Sequence, residues 1–405
     1  MKSEDRPPLG SITLLALGVN GIVGVGIFVA PPIVARAFPG VLGALVYLAI
    51  AVACLPIALT YARLARAYPR DGGPALYAER AYGRRVSFAI GSMVWVSAIF
   101  STAAVTRGLA EQLAGGRWAV AVAIAISLAL AVVNLRGLRA SAWGWTLLTV
   151  AKLAPMIALV ALGVLATSRP HAPAASTGPR GAALLAVLFA LQGFEIVPLP
   201  AGQARDPERS VPRATVGALL VAGGLYAAVH LACDRALPAL SSSTSPLPEA
   251  AVILGGQGLS RAIAFGVVAS MAGIVVGMHA MTPRYLAAFT LGDRPTPGTP
   301  TRAIAASAVL VSLLCAVSSL PELLDLSSIA VLAQYATTAL SLLSLSRRPG
   351  AGIAPREAWP APLSLVVVAV LLAHASAREL AISAAVAAVS IALAYALARS
   401  PSRAP

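Results

Sequence analysis

Apolar runs long enough to cross a lipid bilayer recur along this chain from one end to the other, and nothing constrains its fold more. Twelve such runs occupy residues 11–35, 41–62, 86–113, 118–135, 143–166, 182–203, 214–237, 260–289, 302–320, 326–346, 361–376 and 379–398. A helix of about 20 apolar residues spans roughly 30 Å of hydrocarbon. A water-soluble fold is excluded, because a wettable exterior cannot be built from 405 residues that are 58% hydrophobic and only 11% charged. The expected fold class is therefore all-α and polytopic, with about twelve transmembrane helices. The last two runs are short and weakly separated, which leaves ten or eleven spans open.

The formal charge of +15 first points to nucleic acid, but its distribution points elsewhere. Counted with the nearest loop, 21 of the 30 lysines and arginines fall in even-numbered loops and the two tails, and eight in odd-numbered loops. Arg63, Arg66, Arg70, Arg80, Arg84 and Arg85 crowd the second loop alone. This is the positive-inside bias, with both termini cytoplasmic. The excess charge reads as topology and contact with anionic lipid, with no nucleic-acid partner. The polar start MKSEDRPPLG precedes a first run without a small-residue cleavage site, so that run is expected to be retained in the membrane. Cys54, Cys233 and Cys315 each lie alone in an apolar run. They predict neither a metal site nor a disulfide framework, and no cofactor motif is present.

Two runs are interrupted where a plain lipid-spanning helix has no need of it. The first contains Gly18, Gly21, Gly24 and Gly26 followed by Pro31 and Pro32; the sixth contains Gly193, Pro198, Pro200 and Gly202. Glycine costs about 1 kcal/mol and proline about 3 in a helix interior. Loosened backbone at membrane depth is tolerated only where it faces protein or a water-filled cavity. Breaks in runs one and six are five apart, as expected of two inverted five-helix repeats at about 11–166 and 182–346. Residues 349–398 would then be two accessory helices, with cytoplasmic tails at 1–10 and 399–405. The competing reading is that the glycines merely allow close helix packing.

The run GIVGVGIFVAPP resembles the first-helix signature of the amino acid–polyamine–organocation (APC) permeases. Four further segments resemble the family in order: YARLARAYPRDGGPALYAERAYG (61–83), NLRGLRASAWGWTLLTVAKLAPMI (134–157), LFALQGFEIVPLPAGQARDPERSVPRA (188–214) and DLSSIAVLAQYATTALSLLSLSRR (325–348). The resemblance covers residues 11–348. It implies a LeuT-like 5+5 inverted repeat with helices 1 and 6 broken, twelve spans, and alternating access around a central amino acid site.

A break in the first helix can meet both charges of a zwitterion without charged side chains. The amides of Val25, Gly26 and Ile27 open the outer half-helix and suit a carboxylate. The carbonyls of Ile22 and Val23 close the inner half and suit an ammonium, helped by carbonyls near Phe189, Ala190 and Gln192, beside Gly193. Gly24 and Gly26 would let a ligand reach the backbone. The resemblance further makes Phe189 an aromatic gate, against an ordinary packing role. Glu195 is the one acid well inside a run, and an intramembrane carboxylate is functional by default; it would take up a proton or clamp the break. Lys152, one of two lysines against 28 arginines, lies deep in the fifth run. A buried lysine can shed its proton and an arginine cannot. The resemblance places its ammonium where sodium-coupled relatives hold an ion; the alternative is snorkelling to the interface. Met278 and His279 are candidates for the distal pocket, although a lone histidine is more often a packing residue, His230 and His374 included. Ser97, Ser101 and Thr102 share one helical face and either line the cavity or make helix contacts.

The expected function is secondary active transport of an amino acid in the cell membrane, sodium-independent, by proton symport or by exchange with a counter-substrate. An organic-amine or polyamine exchanger of the same fold is the nearest alternative, and it would want further acids in the pocket. An intramembrane enzyme is disfavoured, since no HExxH or GxSxG motif appears. A channel or a transport-like sensor is the remaining class.

Overall fold

The computed structural model describes residues 9–70, 73–135, 142–166, 176–198, 201, 204–291 and 301–399. Within its helices, the side chains of 142–152, 287–291, 386, 390 and 393–399 lie outside the described set. Among the described residues the chain is all-helical and polytopic, and each apolar run falls at least in part on a helix. The first run is two helices, α1 (Ser11–Ile22) and α2 (Gly26–Ala37), bent by 51°. The second is α3 (Val41–Ala67). A short helix that the apolar pattern does not announce, α4 (Gly73–Tyr82), lies in the arginine-rich second loop. Then come α5 (Arg84–Leu113), α6 (Ala119–Leu135) and α7 (Ala142–Leu165). The sixth run gives only α8 (Arg180–Leu191), followed by a 3₁₀ turn at Phe194–Ile196. Pro198 and Pro200 of the same run cannot donate the amides that a continued helix would use.

The second half continues with α9 (Pro207–Ala236) and α10 (Pro246–Leu291). A kink at Gly256 divides α10. Its first part, 246–255, precedes the eighth apolar run and had no counterpart in the pattern. The last helices are α11 (Thr301–Val317), α12 (Leu320–Ser346), α13 (Pro360–Leu372) and α14 (Ala377–Arg399). Ser319 caps α12 by accepting from the Glu322 amide, and Glu322 answers on the Ser319 amide at 2.9 Å. Among the described residues, seven helices are long and apolar enough to cross a membrane, or eight with the bent pair counted as one.

Of the long apolar helices, α12 is the most buried and α6 the least, so α12 is central and α6 peripheral. The main packed pairs are α3 with α9, α5 with α10 and α12, α7 with α10, α1 with α9, α2 with α8, and α6 with α11. The arginine-rich end is tied by polar contacts. Arg63 pairs with Glu357 at 3.2 Å, the Tyr68 hydroxyl donates to Ala351 O at 3.2 Å, and Arg348 donates to the last carbonyls of α4, Arg80 and Ala81. At the other end, Arg36 donates to Ser241 O at 2.7 Å, and the amides of Thr177 and Gly178 close on the Arg36 carbonyl.

Candidate functional site

The two interrupted runs meet backbone to backbone. At Gly26, the first residue of α2, an added methyl would collide with Ala190 of α8. At Gly193 it would lie 2.5 Å from the Gly21 carbonyl and 2.7 Å from the Ile22 amide nitrogen. The missing side chain of Gly26 therefore serves contact between helices. Gly24 faces the Ile274 side chain of α10, 2.9 Å from where its own methyl would stand. Met278, partly buried on α10, lies one turn beyond Ile274 on the same face.

The break in the first run exposes a defined set of polar groups. Val23 ends α1, with its amide on Val19 O at 2.8 Å, and Val25 accepts the amides of Phe28 and Val29 to start α2. The amides of Val25, Gly26 and Ile27 have no acceptor among the described residues. The Ile22 carbonyl does have a partner, because the Tyr226 hydroxyl of α9 donates to it at 2.7 Å. The Gly24 amide lies within hydrogen-bonding reach of the same hydroxyl. Tyr226 thus bridges the gap between α1 and α2 from outside the run.

The second break is arranged similarly. The Gln192 amide bonds the carbonyls of Leu188 and Phe189, while the carbonyls of Ala190 and Gln192 have no donor among the described residues. The Gln192 side chain is held by α12, donating to Ser328 Oγ at 3.3 Å and accepting from Ser327 Oγ at 3.2 Å. Ser101 of α5 reaches Ser327 at 2.6 Å. Glu195 folds back onto the turn, accepting the Gly193 amide at 2.9 Å and the Tyr335 hydroxyl at 3.1 Å. Tyr335, Phe194 and Tyr61 form a buried aromatic cluster beneath it, and Gln334 donates to the Tyr61 hydroxyl at 3.0 Å. In this conformation the Glu195 carboxylate ties the turn after α8 to α12. Phe189 is buried one turn before the same break.

Other candidates from the sequence lie apart. His279 has both ring nitrogens engaged, by Val275 O at 2.9 Å and Ser127 Oγ at 3.2 Å. With Thr102 and Thr282 it lines a cavity of about 10 Å³ between α5, α6, α10 and α11, room for one water. Ser97 is buried, and Thr102 bonds Thr282 of α10 at 2.8 Å. Lys152 is ten residues into α7, and its side chain lies outside the described residues. Tyr226, Tyr335 and the serines of α12 were not singled out from the sequence. Their one signal there is a hydroxyl inside an apolar run.

Donors left open at the start of α2 therefore sit beside acceptors left open at the end of α8, held together by the Gly26–Ala190 contact. That pairing suits a small ligand bearing both a negative and a positive group. A protein-family model described as amino acid permease matches residues 9–398. The serine/threonine exchanger SteT of Bacillus subtilis (strain 168) is 24% identical over 381 residues, covering 86% of each chain. The branched-chain amino acid permease BcaP of Lactococcus lactis subsp. cremoris is 24% identical over 397 residues, covering 88% of this chain and 85% of the relative. Human cationic amino acid transporter 4 is 27% identical over 385 residues, covering 85% of this chain but 60% of the relative.

Proposed function

The chain belongs to the amino acid permease family, and from that premise we propose that it carries amino acids across the cell membrane by alternating access around the two breaks. The observation that carries this reading is the juxtaposition of open amides at Val25, Gly26 and Ile27 with open carbonyls at Ala190 and Gln192. The substrate carboxylate binds the amides and its ammonium the carbonyls, with Ile22, Val23 and Gly193 shaping the gap. Phe189 gates the site, and Met278 contacts the side chain.

The scaffold is two inverted repeats of five spans with α13 and α14 appended, twelve in all. Helix pairings support this, since a shift of five spans maps most of them onto one another. Spans two and seven (α3, α9), three and eight (α5, α10), and four and nine (α6, α11) pair with their own counterparts; three with ten (α5, α12) answers eight with five (α10, α7).

Coupling uses no sodium. Lys152 takes the place of the ion, and the partner is a proton or a second amino acid, as the exchange named for SteT illustrates. The test is uptake of radiolabelled serine, leucine and lysine into proteoliposomes, with and without sodium and with a trans amino acid load. Saturable, sodium-independent uptake of at least one is expected, lost in Gly26→Leu and Lys152→Ala while both variants still insert. No uptake of any amino acid, or a strict sodium requirement, would overturn the reading.

A further inference from the structure

Two polar side chains are sealed between α3 and α9 without a partner among the described residues. His230 has no exposed surface and neither ring nitrogen is bonded; the fully buried Tyr47 hydroxyl is equally unpaired. The imidazole packs on the Tyr47 ring at 5.4 Å between centroids, with its Nε2 edge against Gly43, where any side chain would strike it. The Tyr47 ring meets Tyr226 edge-on at 6.1 Å. Tyr226, one turn before His230 on α9, is the residue that holds the Ile22 carbonyl at the first break.

His230 lies six residues before the end of α9 and Tyr47 six residues after the start of α3. Both are thus about 9 Å inside those ends, which the arginine distribution assigns to the non-cytoplasmic face. A line of three rings runs from near that face to the break. Packing alone does not call for it, because an apolar side chain would fill the same space and leave no orphan. Buried polar groups are nearly always bonded, and the exceptions demand a reason.

We propose that His230 is a proton-binding site of this carrier, linked through Tyr47 and Tyr226 to the first break. The proposal rests on the transport reading above. A proton from outside water takes the free lone pair of the imidazole, which becomes imidazolium, and leaves to the cytoplasmic side later in the cycle. No other bond forms or breaks. In the present conformation neither ring nitrogen has a carboxylate within hydrogen-bonding distance among the described residues. Tyr47 faces it from α3, while α9 itself brings Tyr226, Cys233, Asp234 one turn beyond the histidine, and Arg235, which donates to Gly163 O. Packed against α9, α1 brings no titratable group and α7 brings Lys152; Glu249 of α10 is engaged by Ser243 and the Ser245 amide. Charging therefore requires the seam between α3 and α9 to open to water, and Tyr226 ties that opening to the substrate break. Glu195, by contrast, has its carboxylate committed to Gly193 and Tyr335.

The test uses the full chain. Ring-¹⁵N histidine spectra in nanodiscs, over roughly pH 5 to 8, should show a titrating signal, among the four histidines, that disappears in His230→Gln. In proteoliposomes holding a pH dye, adding a mixture of the twenty amino acids outside should acidify the lumen. Relative to counterflow of radiolabelled leucine, serine or lysine, that proton flux should fall on the order of tenfold or more in His230→Gln and in Tyr47→Phe. The second variant removes one oxygen from a packed ring and guards against a folding defect in the first. Unchanged proton flux in both variants, or no titrating signal lost, overturns the site. Counterflow without proton flux in the wild type sinks the proton site and leaves transport standing. A titrating His230 with no amino acid movement does the reverse.

Discussion

At Gly193 the backbone takes φ of +122° with its Cα pressed on the Gly21–Ile22 peptide. A side chain there is both strained and overlapping, and the atoms it would meet are backbone that cannot swing away. Overpacking of this kind typically costs about 1–3 kcal/mol and a disfavoured backbone angle a similar amount. Gly193→Ala should therefore lower the thermal midpoint of the detergent-solubilised protein by several degrees and abolish uptake. A variant as stable as the parent would mean that the two breaks do not touch. The glycine itself stands out in the sequence as a helix breaker beside an acid. What it touches does not, because Gly21 lies far away along the chain and no local pattern names it. The same holds for Glu195, whose two partners include a tyrosine 140 residues on.

Among the elements, the bent pair α1–α2 was the most legible, since four glycines and two prolines in one apolar run leave few other solutions. Less legible were α4, which lacks the hydropathy that marks the spans, and the first part of α10, which is apolar but too short to register as one. Tyr226 was invisible as a bridge, being one tyrosine of nine. Removing its hydroxyl strands the Ile22 carbonyl in a buried setting, at a cost of about 1–3 kcal/mol. Tyr226→Phe should insert normally yet raise the KM for amino acid uptake severalfold, because the amides and carbonyls of the break lose their fixed spacing. An unchanged KM would reduce Tyr226 to a packing residue.

For the whole molecule, the arginine asymmetry predicts an orientation that labelling can check. Cys54, Cys233 and Cys315 are all buried, so the parent chain offers a quiet background to a membrane-impermeant maleimide. In sealed, right-side-out vesicles, Thr177→Cys, exposed beside the α2 end, should react from outside; Glu79→Cys, exposed on α4, should react only after permeabilisation. The reverse pattern would invert the topology. Of the global pairing of helices, the sequence offers only the proposed repeat of five, read from where the breaks fall. Which helices touch depends on shape across the bundle, which a linear pattern of hydropathy does not encode.

The break in the first run also has a place in time. Its halves are twelve residues each, about 18 Å of helix and too short to cross the bilayer alone. Every group that steadies the gap arrives much later in synthesis: Ala190, Gly193, then Tyr226, which lies 204 residues beyond its acceptor. Until they emerge from the ribosome, open amides at Val25–Ile27 would face lipid at several kcal/mol each. The nascent segment is therefore expected to enter the membrane as one continuous helix, and to bend only when the second half of the protein is there to receive it.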